Sequence, residues 1–255
     1  IDLRSISLPL SDLDWVYTGG VPFGSCFEEI YEELVSRFKN RFLIRGCSPE
    51  ITGFLEKSGC EAVVTGSEAV ISVEGWRPGE SLRELCRRGL RHGGISEISS
   101  SSYNMERLDG LRSRTPYGSK PFLKYLFRTG LDDDMRCFVH SGNDGRWLGA
   151  VTVSRTAHAS AHVEMMLRSR ATPVGVMEAL FVHVIRALGR DGYGELSLGE
   201  VPFVLPPELC AGDGAKSLKE KLLFGSGHFL RFAYDYRSLF RFKDKFGPAW
   251  RPVYM

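Results

Sequence analysis

No run of apolar residues in this chain is long enough to span a bilayer, and no signal-peptide pattern opens it. Cys-x-x-Cys pairs are absent too. The six cysteines (Cys26, Cys47, Cys60, Cys86, Cys137 and Cys210) are scattered, which points to reduced intracellular thiols rather than a disulfide frame or a zinc site. There is no nucleophile elbow and no His–Asp order to activate a serine or cysteine. His158 and His162 lie four apart, a spacing that suits a metal pair on a helix. Here they precede a strand pattern and have no evident third ligand, so no metal is expected.

What remains is a chain of 255 residues, 43% hydrophobic, able to bury a real core as one or two domains. Its net charge of +2 hides alternating blocks: −5 over residues 1–79, +5 over 80–128, −4 over 129–215 and +6 over 216–255. If the two basic blocks meet in space they form a surface that attracts polyanions, nucleic acid or anionic lipid. The alternative is a solvated mixture of both signs.

Read in order, Trp15–Tyr17 is a short strand candidate and the Gly- and Pro-rich stretch 19–24 a loop. Phe27, Ile30, Tyr31, Leu34, Val35 and Phe38 form a helical stripe with Glu28, Glu29, Glu32 and Glu33 outside it. A strand over 41–46 and a short helix opened by Ser48-Pro49 follow. Gly66-Ser67 between 61–65 and 68–73 reads as a hairpin turn. Residues 79–92 read as a helix with Leu82, Leu85 and Leu90 facing in and Arg83, Arg87, Arg88 and Arg91 on a basic face. Residues 96–102 are strand or linker, 104–114 are ambiguous, and 116–130 contain a basic helix. Residues 135–140 and 147–154 form an antiparallel pair, and Leu218, Leu222 and Leu223 mark a further short helix.

The stretch 161–202 organises the rest. It reads as a strand (His162, Glu164 and Met166 alternating with Val163, Met165 and Leu167), a turn, a helix and a strand. Thr172 and Pro173 suit the N-cap and first helical position. The helix carries an apolar stripe from Val176 to Leu188, and Glu195–Leu198 opens the next strand. A charged strand end facing a helix N-terminus is a site for an anionic group. The element order implies an α/β (α+β) chain in two halves, residues 1–105 and 115–255, and the second half resembles the N-acetyltransferase-like arrangement.

The tail carries the most specific resemblance. Phe229-Leu-Arg-Phe232, and then Leu239 to Tyr254 with Arg241-Phe-Lys243-Asp-Lys245-Phe246, Pro248, Trp250 and Pro252, resembles the ending of the soluble catalytic domain of aminoacyl-phosphatidylglycerol synthases. Pro173-Val-Gly175-Val-Met177-Glu178, Gly192-Tyr193 and Leu198-Gly199-x-x-Pro202 are similar to that domain's segments in the same order, and residues 19–24 to its Gly-Asp-Pro-Val-Gly loop. The resemblance implies a tandem acetyltransferase-like (GNAT-like) fold of two mixed sheets flanked by helices, with the first half truncated. It implies aminoacyl-tRNA as donor and a lipid head-group hydroxyl, such as that of phosphatidylglycerol, as acceptor, with no cofactor. The expected location is cytoplasmic, peripheral at the inner face of the membrane. The family's transmembrane flippase part is absent from this sequence. The family's Asp-Leu-Met-Arg run is here Glu164-Met-Met-Leu167-Arg168, with the arginine one residue late. In an extended strand that slip turns Arg168 to the other face unless a bulge corrects it.

Aminoacyl transfer needs positioning, a proton acceptor and charge stabilisation. Glu164 is placed near the acceptor hydroxyl or the donor's α-amino group; the plain alternative is a carboxylate paired with Arg168 or Arg155. Arg168 and Arg170 precede a helix N-terminus and suit a phosphate, or else form a solvated turn. Lys243 and Lys245 share one face if the tail is extended and diverge if it is helical. With Arg241 they are expected to hold a phosphate or the donor's 3′ end, Glu164, Arg168, Lys243 and Lys245 being the catalytic set. Gly175, Glu178 and Glu200 complete the substrate-binding set with Arg170 and Arg241. The rival readings are an acetyl-CoA-dependent N-acyltransferase, weakened by the single glycine and the proline in Arg170–Val176, and a non-catalytic tRNA- or membrane-binding module.

Overall fold

A computed structural model of the chain describes residues 4–7, 14–17, 27–39, 42–116, 131, 135–156, 159–210, 224 and 235–255. The expected loop at 19–24, the basic helix within 117–130, His158 and the helix at 218–223 lie outside these residues. The described chain forms two compact units: residues 1–70 with 198–255, and residues 71–197.

In the first unit, strands β1 (Arg4–Ser7), β2 (Asp14–Tyr17) and β3 (Phe42–Arg45) form a three-stranded sheet, β1–β2 antiparallel and β2–β3 parallel. Helix α1 (Phe27–Phe38) follows the expected stripe: Phe27 and Leu34 are buried while its glutamates face out. Helix α2 (Pro49–Lys57) is capped by Ser48, whose Oγ accepts from the Ile51 N–H at 3.4 Å, with Pro49 at its start. Phe27, Leu34, Ile44, Cys47, Ile51 and Leu55 make one core, sealed by Tyr31, Phe42, Phe54 and Tyr254.

The expected hairpin at Gly66-Ser67 is one strand, β4 (Val64–Ser72). Gly66 is there because a Cβ at this position would collide with the Val201–Pro202 backbone, so the glycine marks a close strand approach and not a turn. The tail ends in helices α6 (Pro207–Cys210) and α7 (Tyr236–Asp244) and strand β10 (Ala249–Tyr254), which pairs antiparallel with β4.

In the second unit, α3 (Glu80–Leu90) leads into strand β5 (Gly93–Ile98) and helix α4 (Ser102–Ser113), which settles the two ambiguous stretches. Strands β6 (Met135–Gly142), β7 (Trp147–Arg155) and β8 (Ser160–Arg168) extend β5 as an antiparallel series. Strand β9 (Glu195–Pro202) pairs parallel with β8 over Ser160–His162 and Glu195–Ser197. The seven strands run in the hydrogen-bonded order β10-β4-β9-β8-β7-β6-β5, a mixed sheet in an α/β chain. Alternation along the strands splits the side chains between two layers. Cys137, Val139, Ala150, Met165 and Leu167 pack with Leu108 and Leu111 of α4. Phe138 faces the other way, its ring 6.0 Å from that of His183 in helix α5 (Val176–Arg190).

Two local expectations are corrected here. Helix α5 starts at Val176, with Gly175 as its N-cap at φ 95°; Thr172 instead donates its hydroxyl to the Leu148 carbonyl at 2.6 Å. Leu90 does not face in but is 51% exposed. The inward place in that turn of α3 goes to Gly89, where a Cβ would collide with the Gly175–Val176 backbone. Only a glycine lets α3 lie so close to the start of α5.

Candidate functional site

The first unit holds a buried lysine. Lys243 sits in the last turn of α7 and is 4% exposed. Its Nζ donates to the carbonyl oxygens of Gly199 at 2.9 Å and Glu200 at 3.1 Å on β9. Burial pushes its ammonium down from an ordinary 10.5 to about 7, against the pull of the Glu200 and Glu68 carboxylates. A neutral amine has two N–H groups and one lone pair. The two carbonyls engage two N–H groups, which leaves the neutral form a lone pair able to take a proton near neutral pH. The Glu200 carboxylate accepts from Arg45 of β3 at 3.2 Å, an ion pair in which Glu200 is nearly buried.

The tail around Lys243 is helical, so the two lysines diverge. Lys245 is exposed at the C-cap of α7, its Nζ 5.6 Å from the centre of the Phe242 ring. Arg241 is exposed, its Nε donating to the Arg237 carbonyl at 3.4 Å. With Arg237, Phe240 and Val204 it lines an open groove of about 350 Å³. Phe240 stacks on Trp250 at 4.5 Å, and the Trp250 Nε1–H donates to Asp244 at 3.2 Å. Phe246 is buried against Phe242. These aromatics fix α7 and β10 together.

The second unit carries the other expected residues. The β7–β8 ladder shifts register: Val153 pairs with Val163 and Thr152 with Met165, which leaves Glu164 as the extra residue of a β-bulge. Its carboxylate accepts from the Ser154 hydroxyl at 2.7 Å. Arg168, opposite Gly149, ends β8 and is exposed. Arg170 is exposed, its backbone N–H and Nε donating to the carbonyls of Arg114 and Thr115 at 3.1 and 3.5 Å. Gly175 has a structural demand of its own, since its positive φ coincides with close packing on Leu85 and Gly89 of α3. Glu178 is buried in the first turn of α5, where the helix dipole favours a carboxylate. Burial, with help from Glu178, pushes the Cys86 thiol up to about 11, which makes it a poor nucleophile.

Within the first unit, then, the structure joins Lys243 to Glu200 and sets Arg241 and Lys245 on outer faces of the same helix end. Within the second, Glu164 lies in the bulge while Arg168, Arg170, Gly175 and Glu178 follow the strand into α5. Sequence reasoning missed Arg45, Glu68, Ser154 and Gly89. Arg45 and Glu200 are 155 residues apart, and no periodicity links them. Gly89 could have been suspected, as a glycine inside an otherwise regular helix pattern. Among the described residues, no group of three or more His, Cys, Asp or Glu is placed to hold a metal ion. No helix among them is long and apolar enough to cross a membrane.

The fold has relatives among solved structures. The L-PGS structure from Bacillus licheniformis superposes with a TM-score of 0.75 at 18% identity, covering 99% of this chain and 79% of that one. The C-terminal domain (DUF2156) of a putative lysylphosphatidylglycerol synthetase from Agrobacterium fabrum gives 0.71 at 19% identity, covering 99% and 82%. FemX gives 0.55 at 8% identity, covering 99% and 83%. At these identities the likeness is one of fold. No curated protein matches the chain. The sequence profile described as "Phosphatidylglycerol lysyltransferase, C-terminal" matches residues 14–255, nearly the whole length. The chain therefore belongs to the phosphatidylglycerol lysyltransferase C-terminal domain family, a family of aminoacyl transfer to lipid.

Proposed function

We propose that this chain moves an aminoacyl group from aminoacyl-tRNA to a hydroxyl of a lipid such as phosphatidylglycerol. The family match over residues 14–255 carries the reading, and the buried Lys243 amine supplies its chemistry. The donor is already an activated ester, so the protein must position the two substrates and manage one proton. The acceptor hydroxyl gives its proton to the Lys243 lone pair as its oxygen attacks the ester carbonyl. The tetrahedral intermediate collapses, the ribose oxygen leaves and the proton returns to it, so no cofactor is consumed. Glu200, held by Arg45, keeps a negative charge facing the lysine as it becomes an ammonium. Glu164 takes the role of receiving the donor's α-ammonium. Arg168 and Arg170 are assigned to phosphate, as exposed guanidinium groups beside the start of α5. Arg241 and Lys245, exposed on α7, are assigned to the phosphates of the donor's 3′ end. On this reading the chain works on the cytoplasmic side of the membrane, where aminoacyl-tRNA is found.

The test is incubation with radiolabelled aminoacyl-tRNAs and phosphatidylglycerol, followed by separation of the lipids. Label is expected in one lipid product for one or a few amino acids. Label in no lipid for any amino acid would sink the reading, and acetylation of amines from acetyl-CoA would replace it.

A further inference from the structure

The buried residues of α3 are Leu82 in its first turn and Gly89 at its end. Leu90, beside Gly89, is exposed. The helix end therefore docks through the bare backbone of Gly89, against Gly175 at the start of α5. Asn143 of the β6–β7 turn closes the corner: its N–H donates to the His92 carbonyl at 3.0 Å and its Nδ2 to the Arg91 carbonyl at 3.3 Å. An end held by so little burial opens more readily than the sheet it lies on. Against this corner sits His140 of β6. It is fully buried, and neither ring nitrogen finds a hydrogen-bond partner among the described residues. Its ladder neighbours are Ile95 of β5 and Gly149 of β7, whose open side is filled by Met177 and Leu180 of α5. His183 of α5 meets Phe138, two residues before His140 on the same face. From α3, the Gly89 carbonyl and the exposed His92 act on the imidazole, but that carbonyl already accepts from the His92 N–H at 3.1 Å. The charges of these elements are spent elsewhere: Arg87, Arg88, Arg91, Arg186 and Arg190 are exposed, Glu97 of β5 pairs with Arg136, and Glu178 of α5 acts on Cys86.

We propose that His140 is an acid-sensitive latch: when its imidazole takes a proton, the α3 end from Gly89 to His92 lifts off the sheet, admits water to the imidazolium and parts Gly89 from Gly175. Two effects compete on protonation. The C-terminal carbonyls of α3 favour a cation, while burial disfavours it. Burial is the larger, and it holds the imidazole below its ordinary 6.5. Lifting the helix end breaks one close backbone contact and the two Asn143 hydrogen bonds. Every other wall of the site would have to separate paired strands or pull α5 from the core. Once open, the imidazole regains its ordinary 6.5, so opening is indifferent to pH above that value and favoured as pH falls below it. The effect falls on the start of α5, which follows the exposed Arg168 and Arg170. Acid would loosen this segment while the sheet stays intact. The latch goes beyond the proposed reaction and does not depend on it.

Hydrogen exchange of the whole chain, read by mass spectrometry at about pH 7.5 and about pH 5.5 and corrected for intrinsic exchange, tests the latch. The amides of the α3 end should exchange ahead of those of β6 and β7 at both values. Their opening constant should rise about tenfold on going to the lower pH, the ratio set by an open-state value of 6.5 and a closed-state value well below it. His140→Phe should remove that rise, and so should His140→Gln, which replaces it as the test if the larger ring prevents folding. His92→Gln leaves the buried imidazole in place and should keep the rise. An α3 end as protected as β6 and β7 opens only with the whole unit, and that result would overturn the latch. So would exchange that slows in acid, as it must if an imidazolium grips the Gly89 carbonyl. A rise that survives in the His140 variants, or disappears in His92→Gln, would overturn it as well. None of these readouts uses lipid or tRNA, so a failure of the proposed reaction would leave the latch standing.

Discussion

Replacing Lys243 by Met tests the buried amine most directly. The side chains are similar in length, but Met carries neither charge nor donor. Two effects follow, and their pH dependence separates them. The Gly199 and Glu200 carbonyls lose their donor, at about 1–3 kcal/mol each at any pH. The buried ammonium is also removed, and its burden varies with pH. A fall from 10.5 to about 7 corresponds to on the order of 5 kcal/mol between the two protonation states. Between these values the unfolded chain holds a proton on Lys243 that the folded chain has released. Stability of the wild type therefore rises with pH from about 7 towards 10.5, by up to about 1.4 kcal/mol per pH unit. Below 7 both states are protonated and the full penalty is present.

The assay is urea unfolding of both proteins at several pH values between about 6 and 9, compared by midpoint with m held common. Relative to Lys243→Met, wild type should gain about 2 kcal/mol between pH 7 and pH 9. The proposed reaction should also show an ascending limb of kcat/KM near pH 7 in wild type, lost in the variant. Parallel stability curves would show that Lys243 stays protonated throughout, held as an ammonium by its two carbonyls and two nearby carboxylates. In that case it anchors β9 and takes no proton.

The remaining predictions concern packing and pairing. Gly89→Ala forces a methyl group into the Gly175 backbone and should destabilise by roughly 1–3 kcal/mol, seen as a fall in Tm; an unchanged Tm would mean that α3 and α5 are not so close. Arg45→Met strands the nearly buried Glu200 carboxylate and should lose about 1–2 kcal/mol in denaturant unfolding, with Glu200→Gln recovering part of it; additive losses would show that the pair is not coupled. Glu164→Gln should raise KM for the aminoacyl donor with little change in Tm, whereas Ser154→Ala should leave KM near wild type; equal effects would make Glu164 a structural partner of Ser154. Burial holds the His140 imidazole below its ordinary 6.5, so the folded state takes up a proton less readily than the unfolded one. Its contribution is present above about pH 6.5 and is lost as pH falls through the folded value, a loss that His140→Phe should abolish in acid unfolding curves.

Much of the fold was legible because periodic apolar stripes bury in only one way. Phe27–Phe38 and Val176–Leu188 read as helices and are helices, since each stripe needs a 3.6-residue repeat to reach its core. The failures fall on glycines and edges. Gly66 can serve a turn or a close strand approach, and only the neighbouring Val201 backbone decides which. Leu90 lies at the margin of the α3 stripe, and its outward turn depends on Gly89 meeting Gly175 across 86 residues of sequence. Lys243 and Lys245 were inseparable until the backbone was known to be helical there: one ends buried under β9 and the other in solvent. Long-range pairs such as Arg45–Glu200 leave no local trace at all.

The bulge at Glu164 accounts for the one irregularity that the family resemblance left in the central strand. In a regular strand, residues three apart point to opposite faces and residues four apart to the same face. The family's Asp-Leu-Met-Arg spacing thus sets carboxylate and guanidinium on opposite faces, while Glu164 and Arg168, four apart, would share one. With Glu164 inserted between the Val163 and Met165 ladder positions, the alternation is re-phased by one residue. Met165 and Leu167 then face α4. Arg168 pairs with Gly149, whose open side meets Met177 and Leu180 of α5. Glu164 turns towards Ser154, the neighbour of His162 on the ladder and two residues beyond Thr152, the partner of Met165. Carboxylate and guanidinium are therefore again on opposite faces. An arginine one residue late in sequence is, in space, on the face where the shorter spacing would have put it.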